Sequence, residues 1–167
     1  AAALELVVRV AAAAIVAIRA GHNQYPPGPG IEPLRVAIAA HQHRCYGLTL
    51  DPDTDVLVTT GATEAIAAAV MALAGPGDGV VTFEPYYDSY AATIALGGAH
   101  RQVVSLRAPD WSFQEADLRR AVTASTKVLL LNSPHNPTGK VFSDEELRLL
   151  AEVCIEHDLI AVCDEVY

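Results

Sequence analysis

The chain has 167 residues, 51% of them hydrophobic and 19% charged, a composition that excludes a disordered segment and suffices for one domain with a buried core. Its formal net charge of −9, with no local Lys/Arg cluster to offset it, excludes a nucleic-acid partner held through phosphates. Cys45, Cys154 and Cys163 form no CxxC pair, so they read as free thiols in a reducing cytoplasm and not as a disulfide framework.

The opening stretch 1–20 is apolar and Ala-rich, but Glu5, Arg9 and Arg19 interrupt it. Its longest uncharged run, 10–18, is about half of the roughly 20 residues a membrane span needs. It lacks a basic leader and a clear cleavage site, and reads as a helix packed on protein. Past Gly21 the pattern alternates. Residues 56–60 form a β-branched run read as a first strand, and Gly61 breaks it. Residues 62–74 are apolar nearly all round, as in a buried helix, and Gly75-Pro76-Gly77 stops them. A strand at 79–83, a turn at 84–87 and a helix at 88–96 follow. Gly97-Gly98 leads into a strand at 100–106, then a short amphipathic helix at 114–122. Residues 127–131 are the continuous apolar run of a strand covered on both faces. The loop 133–139 holds two prolines and a glycine. Ser143 and Glu146 form a capping box for a helix to about residue 157, and 159–163 is the last strand. The expected fold is α/β, a mostly parallel sheet sandwiched by helices.

In such sheets ligands bind beyond the carboxyl ends of the strands. Four of the five expected ends carry distinctive groups: Gly61-Ala62-Thr63, Glu84-Pro85-Tyr86-Tyr87, Ser133 to Gly139, and Asp164-Glu165-Val166-Tyr167. The Ala62-Thr63 N–H groups at a helix start suit an anion, although a Thr near a helix start is also ordinary. Tyr87 could cover a planar ring or fill a core. Asn136, between Pro134 and Pro137, could donate its amide to a ligand oxygen or close an Asx-turn. Asp164 ends an apolar strand and there calls for a cation, a helix to cap or a metal. His41 and His43 are two apart on a helix, do not share a face, and imply no metal site.

Together these stretches, with Asn23-Gln24-Tyr25-Pro26-Pro27-Gly28, Gly61-Ala62-Thr63-Glu64-Ala65 and the continuation of Glu84-Pro85-Tyr86-Tyr87 through Asp88-Ser89-Tyr90, resemble the class I/II aminotransferases of the aspartate aminotransferase superfamily, fold type I. The Ser-Pro-His-Asn-Pro-Thr-Gly and Asp-Glu-Val-Tyr segments are its most specific parts. Within that superfamily the wording is closest to N-succinyldiaminopimelate and kynurenine aminotransferase-like members. The resemblance implies pyridoxal 5′-phosphate as cofactor, an amino acid and a 2-oxo acid as substrates, a cytoplasmic homodimer, and no metal or membrane. It implies that Ala62 and Thr63 hold the cofactor phosphate and Tyr87 stacks on the pyridine ring. Asn136 and Tyr167 then hydrogen-bond the phenolic oxygen, Asp164 pairs with the pyridine nitrogen, and Tyr25 reaches the partner subunit's phosphate. A carboxylate at the ring nitrogen favours the pyridinium, the better electron sink.

The resemblance divides the chain into an N-terminal helix, 1–22, and part of the large cofactor-binding domain, 23–167. It also implies a fragment. The family's Schiff-base lysine belongs after Tyr167, and the only lysines, Lys127 and Lys140, do not match its motif. The chain as it stands is therefore expected not to transaminate. Alternatives are a carbon–sulfur β-lyase on the same fold, the ligand-sensing domain of a transcription regulator, and an inactive fragment.

Overall fold

The computed structural model describes residues 2–166; Tyr167 lies outside the described residues. The chain divides into two compact units, Ala1–Val58 and Thr59–Tyr167.

The first unit contains α1 (Ala2–Arg19) and α2 (Glu32–Tyr46). Residues of α1 were expected to pack on protein, but Leu4, Leu6, Val7, Val8, Val10, Ile15, Val16 and Ile18 are all exposed. A helix that is apolar on several sides needs partners on several sides, and the described residues of this unit form no such layer over it. Beyond α1 the unit is organised around one buried cation. Arg35 Nε donates to the Gly30 carbonyl at 3.2 Å, while Nη1 bonds the Pro52 carbonyl and pairs with Asp53 at 2.7 Å. Gly30 sits at φ +98° against Val58, where the ideal Cβ of any other residue would lie 2.5 Å from the Val58 Cβ. The expected strand at 56–60 is absent. Val58 N–H donates to the Pro29 carbonyl at 3.0 Å, and none of the described strands pairs with this run. β-Branched residues favour extended backbone, but a strand exists only where a ladder does.

The second unit is an α/β layer structure. Its order is α3 (Gly61–Leu73), β1 (Gly79–Glu84), α4 (Asp88–Leu96), β2 (His100–Ser105), α5 (Glu115–Ala121), β3 (Thr126–Asn132), α6 (Asp144–Glu156) and β4 (Ile160–Asp164). The four strands form one wholly parallel sheet in the order β2-β1-β3-β4. Alternation along each strand sends side chains to opposite faces. Val80, Val128 and Leu130 meet Ile66 and Val70 of α3 and Tyr90 and Ile94 of α4. Val81, Phe83, Leu129 and Leu131 meet Leu118 of α5 and Leu150 and Val153 of α6, with Phe113 and Phe142 edge-on to Phe83. Burial on both faces explains the nearly unbroken apolar runs in β1 and β3. α6 starts at the expected capping box: Ser143 Oγ accepts Glu146 N–H at 3.2 Å, and Glu146 Oε2 accepts Ser143 N–H at 2.9 Å.

The connection leaving β1 goes outward to β2 through α4 on one face, and the connection leaving β3 goes outward to β4 through α6 on the other. The winding therefore reverses between β1 and β3. At such a switch point the loops after the two strands part, and a crevice opens beyond their carboxyl ends.

Candidate active site

A cavity of about 220 Å³ lies in that crevice, lined by Ala62, Thr63, Ile66, Tyr87, Asn132, Asn136, Asp164 and Val166. Ligand pockets of roughly 300–1,000 Å³ suit drug-sized molecules, so this one matches a single substituted ring. Ala62, Thr63, Tyr87, Asn136 and Asp164, singled out from the sequence, thus border one space. Tyr25 lies in the first unit and is 97% exposed. Tyr167 lies outside the described residues.

Each wall has a local cause. Gly61, at φ +75°, turns the chain into α3. Thr60 offers no side-chain cap, so its hydroxyl does not satisfy the first N–H groups of the helix. Glu64 instead reaches back to accept the Thr60 N–H, which holds its carboxyl below the usual range. Tyr87 is the residue before α4, partly exposed, with its ring perpendicular to that of Tyr90 at 5.8 Å. That edge-to-face contact fixes the Tyr87 ring from one side.

Asn132 and Asp164 are register partners at the ends of β3 and β4, and both are buried. Parallel register partners share a face, so both side chains stand on the α3/α4 side. Asn132 Nδ2 donates to the Asp164 carbonyl at 2.9 Å, and Ser133 N–H donates to the same oxygen at 3.1 Å. Asn132 Oδ1 accepts Asn136 N–H at 2.6 Å, which folds the 133–139 loop back over the sheet.

The loop is braced from beneath by His135, a buried residue. Its N–H donates to the Lys140 carbonyl at 2.8 Å, and its carbonyl accepts Gly139 N–H at 2.7 Å. Ring Nδ1 lies 2.8 Å from the Thr138 hydroxyl. Burial pushes the imidazole below its ordinary pKa, and the Lys140 charge acts in the same direction. Lys140 Nζ in turn pairs with Glu146 Oε1 at 2.7 Å.

Asp164 is 8% exposed. Oδ2 accepts the Tyr90 hydroxyl, and Oδ1 accepts Val166 N–H at 3.3 Å. None of the ion pairs among the described residues involves it. Asn132 and Tyr90 did not emerge from the sequence as site residues. For Asn132 a signal existed, a polar residue closing an apolar strand. Tyr90 stood within the Glu84 to Tyr90 stretch that carries the resemblance, but an aromatic inside a helix reads as core and no role was assigned to it.

A doubly wound parallel sheet with a helix start, an aromatic face, an amide and a buried carboxylate around the switch-point crevice defines an α/β ligand-binding domain. The chain belongs to the aminotransferase class I and II family, whose model matches residues 2–167. It is 55% identical over 153 residues to the probable N-succinyldiaminopimelate aminotransferase DapC of Mycobacterium tuberculosis, covering 90% of this chain and 38% of that protein. It is 40% identical over 147 residues to the methionine aminotransferase of Escherichia coli, covering 88% and 38%. The solved structure of the Mycobacterium tuberculosis N-succinyldiaminopimelate aminotransferase superposes with a TM-score of 0.88 at 54% identity, over 93% of this chain and 41% of that one. The chain thus spans about two-fifths of the length of these relatives. The family generally depends on pyridoxal 5′-phosphate, and its enzymes act on amino acids and 2-oxo acids. No helix among the described residues is long and apolar enough to cross a membrane.

Proposed function

We propose that this chain is part of the large domain of a pyridoxal-phosphate-dependent aminotransferase, with residues 23–167 belonging to the cofactor-binding domain. The observation that carries the reading is Asp164. A buried carboxylate facing a ring-sized cavity, bonded to a phenol and a backbone N–H but to no cation among the described residues, is costly unless a positive group completes the site. A pyridinium nitrogen is such a group, and the rest of the lining fits the remainder of the cofactor. Ala62 and Thr63 at the start of α3 would hold the phosphate. Tyr87 would cover the ring, and Asn136, with Tyr167, would donate to its phenolic oxygen. Tyr25 would serve the phosphate of a second subunit in a homodimer. Bound there, pyridoxal phosphate supplies the electron sink that lets an amino group pass from an amino acid to a 2-oxo acid. The protein's part is to keep the ring nitrogen charged, hold the ring in one plane and neutralise the phosphate. A cytoplasmic enzyme is the setting we propose.

Within these 167 residues neither lysine can serve the ring. Lys127 is near the amino end of β3, opposite the cavity, and Lys140 is committed to Glu146. We therefore propose that these residues alone do not transaminate. Pyridoxamine 5′-phosphate has no aldehyde and needs no lysine, so it tests the site directly. The expected result is saturable binding that Asp164→Asn weakens by about tenfold or more, the equivalent of one charge-assisted contact. Equal binding by both proteins would refute the reading.

A further inference from the structure

We infer that Tyr90 is a positioning residue for the cofactor ring: its hydroxyl fixes the Asp164 carboxylate, and its ring fixes Tyr87. This rests on the cofactor reading above and adds to it a residue that touches neither ring nor phosphate. Tyr90 is 1% exposed and belongs to α4, 74 positions before Asp164. Its hydroxyl donates to Asp164 Oδ2, while its ring stands at 87° to Tyr87 with centroids 5.8 Å apart. One side chain thus braces two walls of the same cavity, the carboxylate at one edge and the aromatic face on the other.

The carboxylate depends on this contact. Among the described residues its other oxygen has only the long 3.3 Å bond from Val166 N–H, which by itself permits rotation about the Cβ–Cγ bond. The backbone of Asp164 is held firmly by Asn132 and Ser133, so the freedom left in the residue is that of the carboxylate plane. A hydrogen bond to a charged acceptor is the strong kind, and within a buried site it selects a single orientation. Without the hydroxyl the carboxylate turns off the axis of a ring nitrogen in the cavity and holds that nitrogen's proton less tightly.

Tyr90→Phe isolates the hydroxyl, because the phenyl ring retains the packing against Ile94 and Tyr87. Three measurements on the 167-residue chain decide the matter. In the ligand-free protein, proton NMR should show a slowly exchanging, low-field hydroxyl resonance that vanishes in Tyr90→Phe and moves in Asp164→Asn. With pyridoxamine 5′-phosphate, Tyr90→Phe should weaken binding about tenfold. The bound ring nitrogen, followed by its absorbance, should lose its proton at lower pH than in the parent protein. In an Asp164→Asn background the same Tyr90→Phe change should alter affinity by less than about twofold, since the two residues act as one unit. A merely structural tyrosine would lower the melting temperature, leave the ring's titration in place and cost the same in both backgrounds, and that outcome overturns the inference. An unmoved or upward-moving titration overturns it too. If the parent chain itself fails to bind pyridoxamine phosphate, the cofactor reading falls and this role falls with it. Binding by the parent that Asp164→Asn weakens and Tyr90→Phe leaves unchanged overturns the role of Tyr90 alone.

Discussion

Replacing Glu146 with alanine is expected to destabilise the chain by about 3 kcal/mol, far more than its place on a helix surface suggests. Glu146 does two things. Its Oε2 closes the capping box by accepting Ser143 N–H, and its Oε1 pairs with Lys140 at 2.7 Å. Losing the first contact is cheap, about 0.5–1 kcal/mol, because Ser143 still caps through its own hydroxyl and its N–H can turn to water. The second loss dominates. The Lys140 side chain is 8% exposed and lies over the Phe142 ring, so without Glu146 it is a buried charge with an aromatic face for company. Stranding a buried charge costs roughly 3–5 kcal/mol, and the 21% exposure of Glu146 puts this pair at or below the lower end. A chain of this size loses about 2–4 °C of melting temperature per kcal/mol, which gives a fall of about 6–12 °C. Lys140→Met removes the charge and retains the apolar stem, so it should cost under about 1 kcal/mol. Adding Lys140→Met to Glu146→Ala should recover most of the loss. Circular-dichroism melts and urea titrations of the three variants at neutral pH measure all of this. Equal effects of Glu146→Ala and Lys140→Met, or a double variant no better than Glu146→Ala, would refute the account. The consequence reaches the site, because the Lys140 carbonyl accepts the N–H of His135 at the root of the Asn136 loop.

Acidification should weaken the fold through His135. Its imidazole is held below the ordinary value, so the neutral form is the one that folds; its contribution is complete above the unfolded pKa of about 6.5 and is lost as pH falls from there towards the lower folded value. Melts from pH 7.5 down to 5 should show this slope, and His135→Asn should flatten it; an unchanged slope counts against a buried neutral ring. Gly30→Ala should destabilise the first unit by more than about 1 kcal/mol, through both the positive φ and the contact with Val58, as read by hydrogen exchange at residues 29–58; protection equal to the parent would contradict it. Mixing the chain with pyridoxal phosphate and reducing with borohydride should leave Lys127 and Lys140 without a stoichiometric label, and mass mapping of one fully labelled lysine, with amino-acid turnover, would defeat the proposal that these residues do not transaminate.

What could be read in the sequence and what could not separate along a physical line. The helix 88–96 was delimited as found, because Tyr87 before it is extended and Gly97-Gly98 stops it. The capping box was legible for the same reason: it is a local exchange between Ser143 and Glu146. All four paired strands were bounded to within about a residue; for β1 and β3 the cause is burial on both faces, which leaves no alternation to misread. Residues 56–60 misled because their β-branched side chains report a preference for extended backbone, whereas a strand is a property of two chains. The stretch 1–20 misled because apolar composition states a need for cover and cannot state that the cover is present. The missed site residues are those whose work is non-local. Tyr90 meets Asp164 across 74 positions, and Asn132 acts through register with the neighbouring strand.

Register is also why the site has its particular chemistry at its particular place. β3 and β4 run parallel and in step from Val128↔Ile160 to Asn132↔Asp164. The four pairs before that last one are apolar, with their β3 members buried on both faces of the sheet, so the first polar pair falls where the sheet ends and the switch-point crevice begins. Because strand partners share a face, Asn132 and Asp164 emerge on the side where α3 starts and where Tyr87 precedes α4. Hydrogen bonds then divide the labour at Asp164. Its backbone carbonyl takes donors from Asn132, the last residue of β3, and from Ser133 beyond it, which anchors the strand end; its carboxylate is left to Tyr90, the Val166 N–H and the cavity. The separation matters for function: the main chain supplies rigidity, and the side chain keeps a charge available for a ligand. A carboxylate spent on anchoring the loop, as Glu146 is spent on Lys140, would have nothing left for a ring nitrogen.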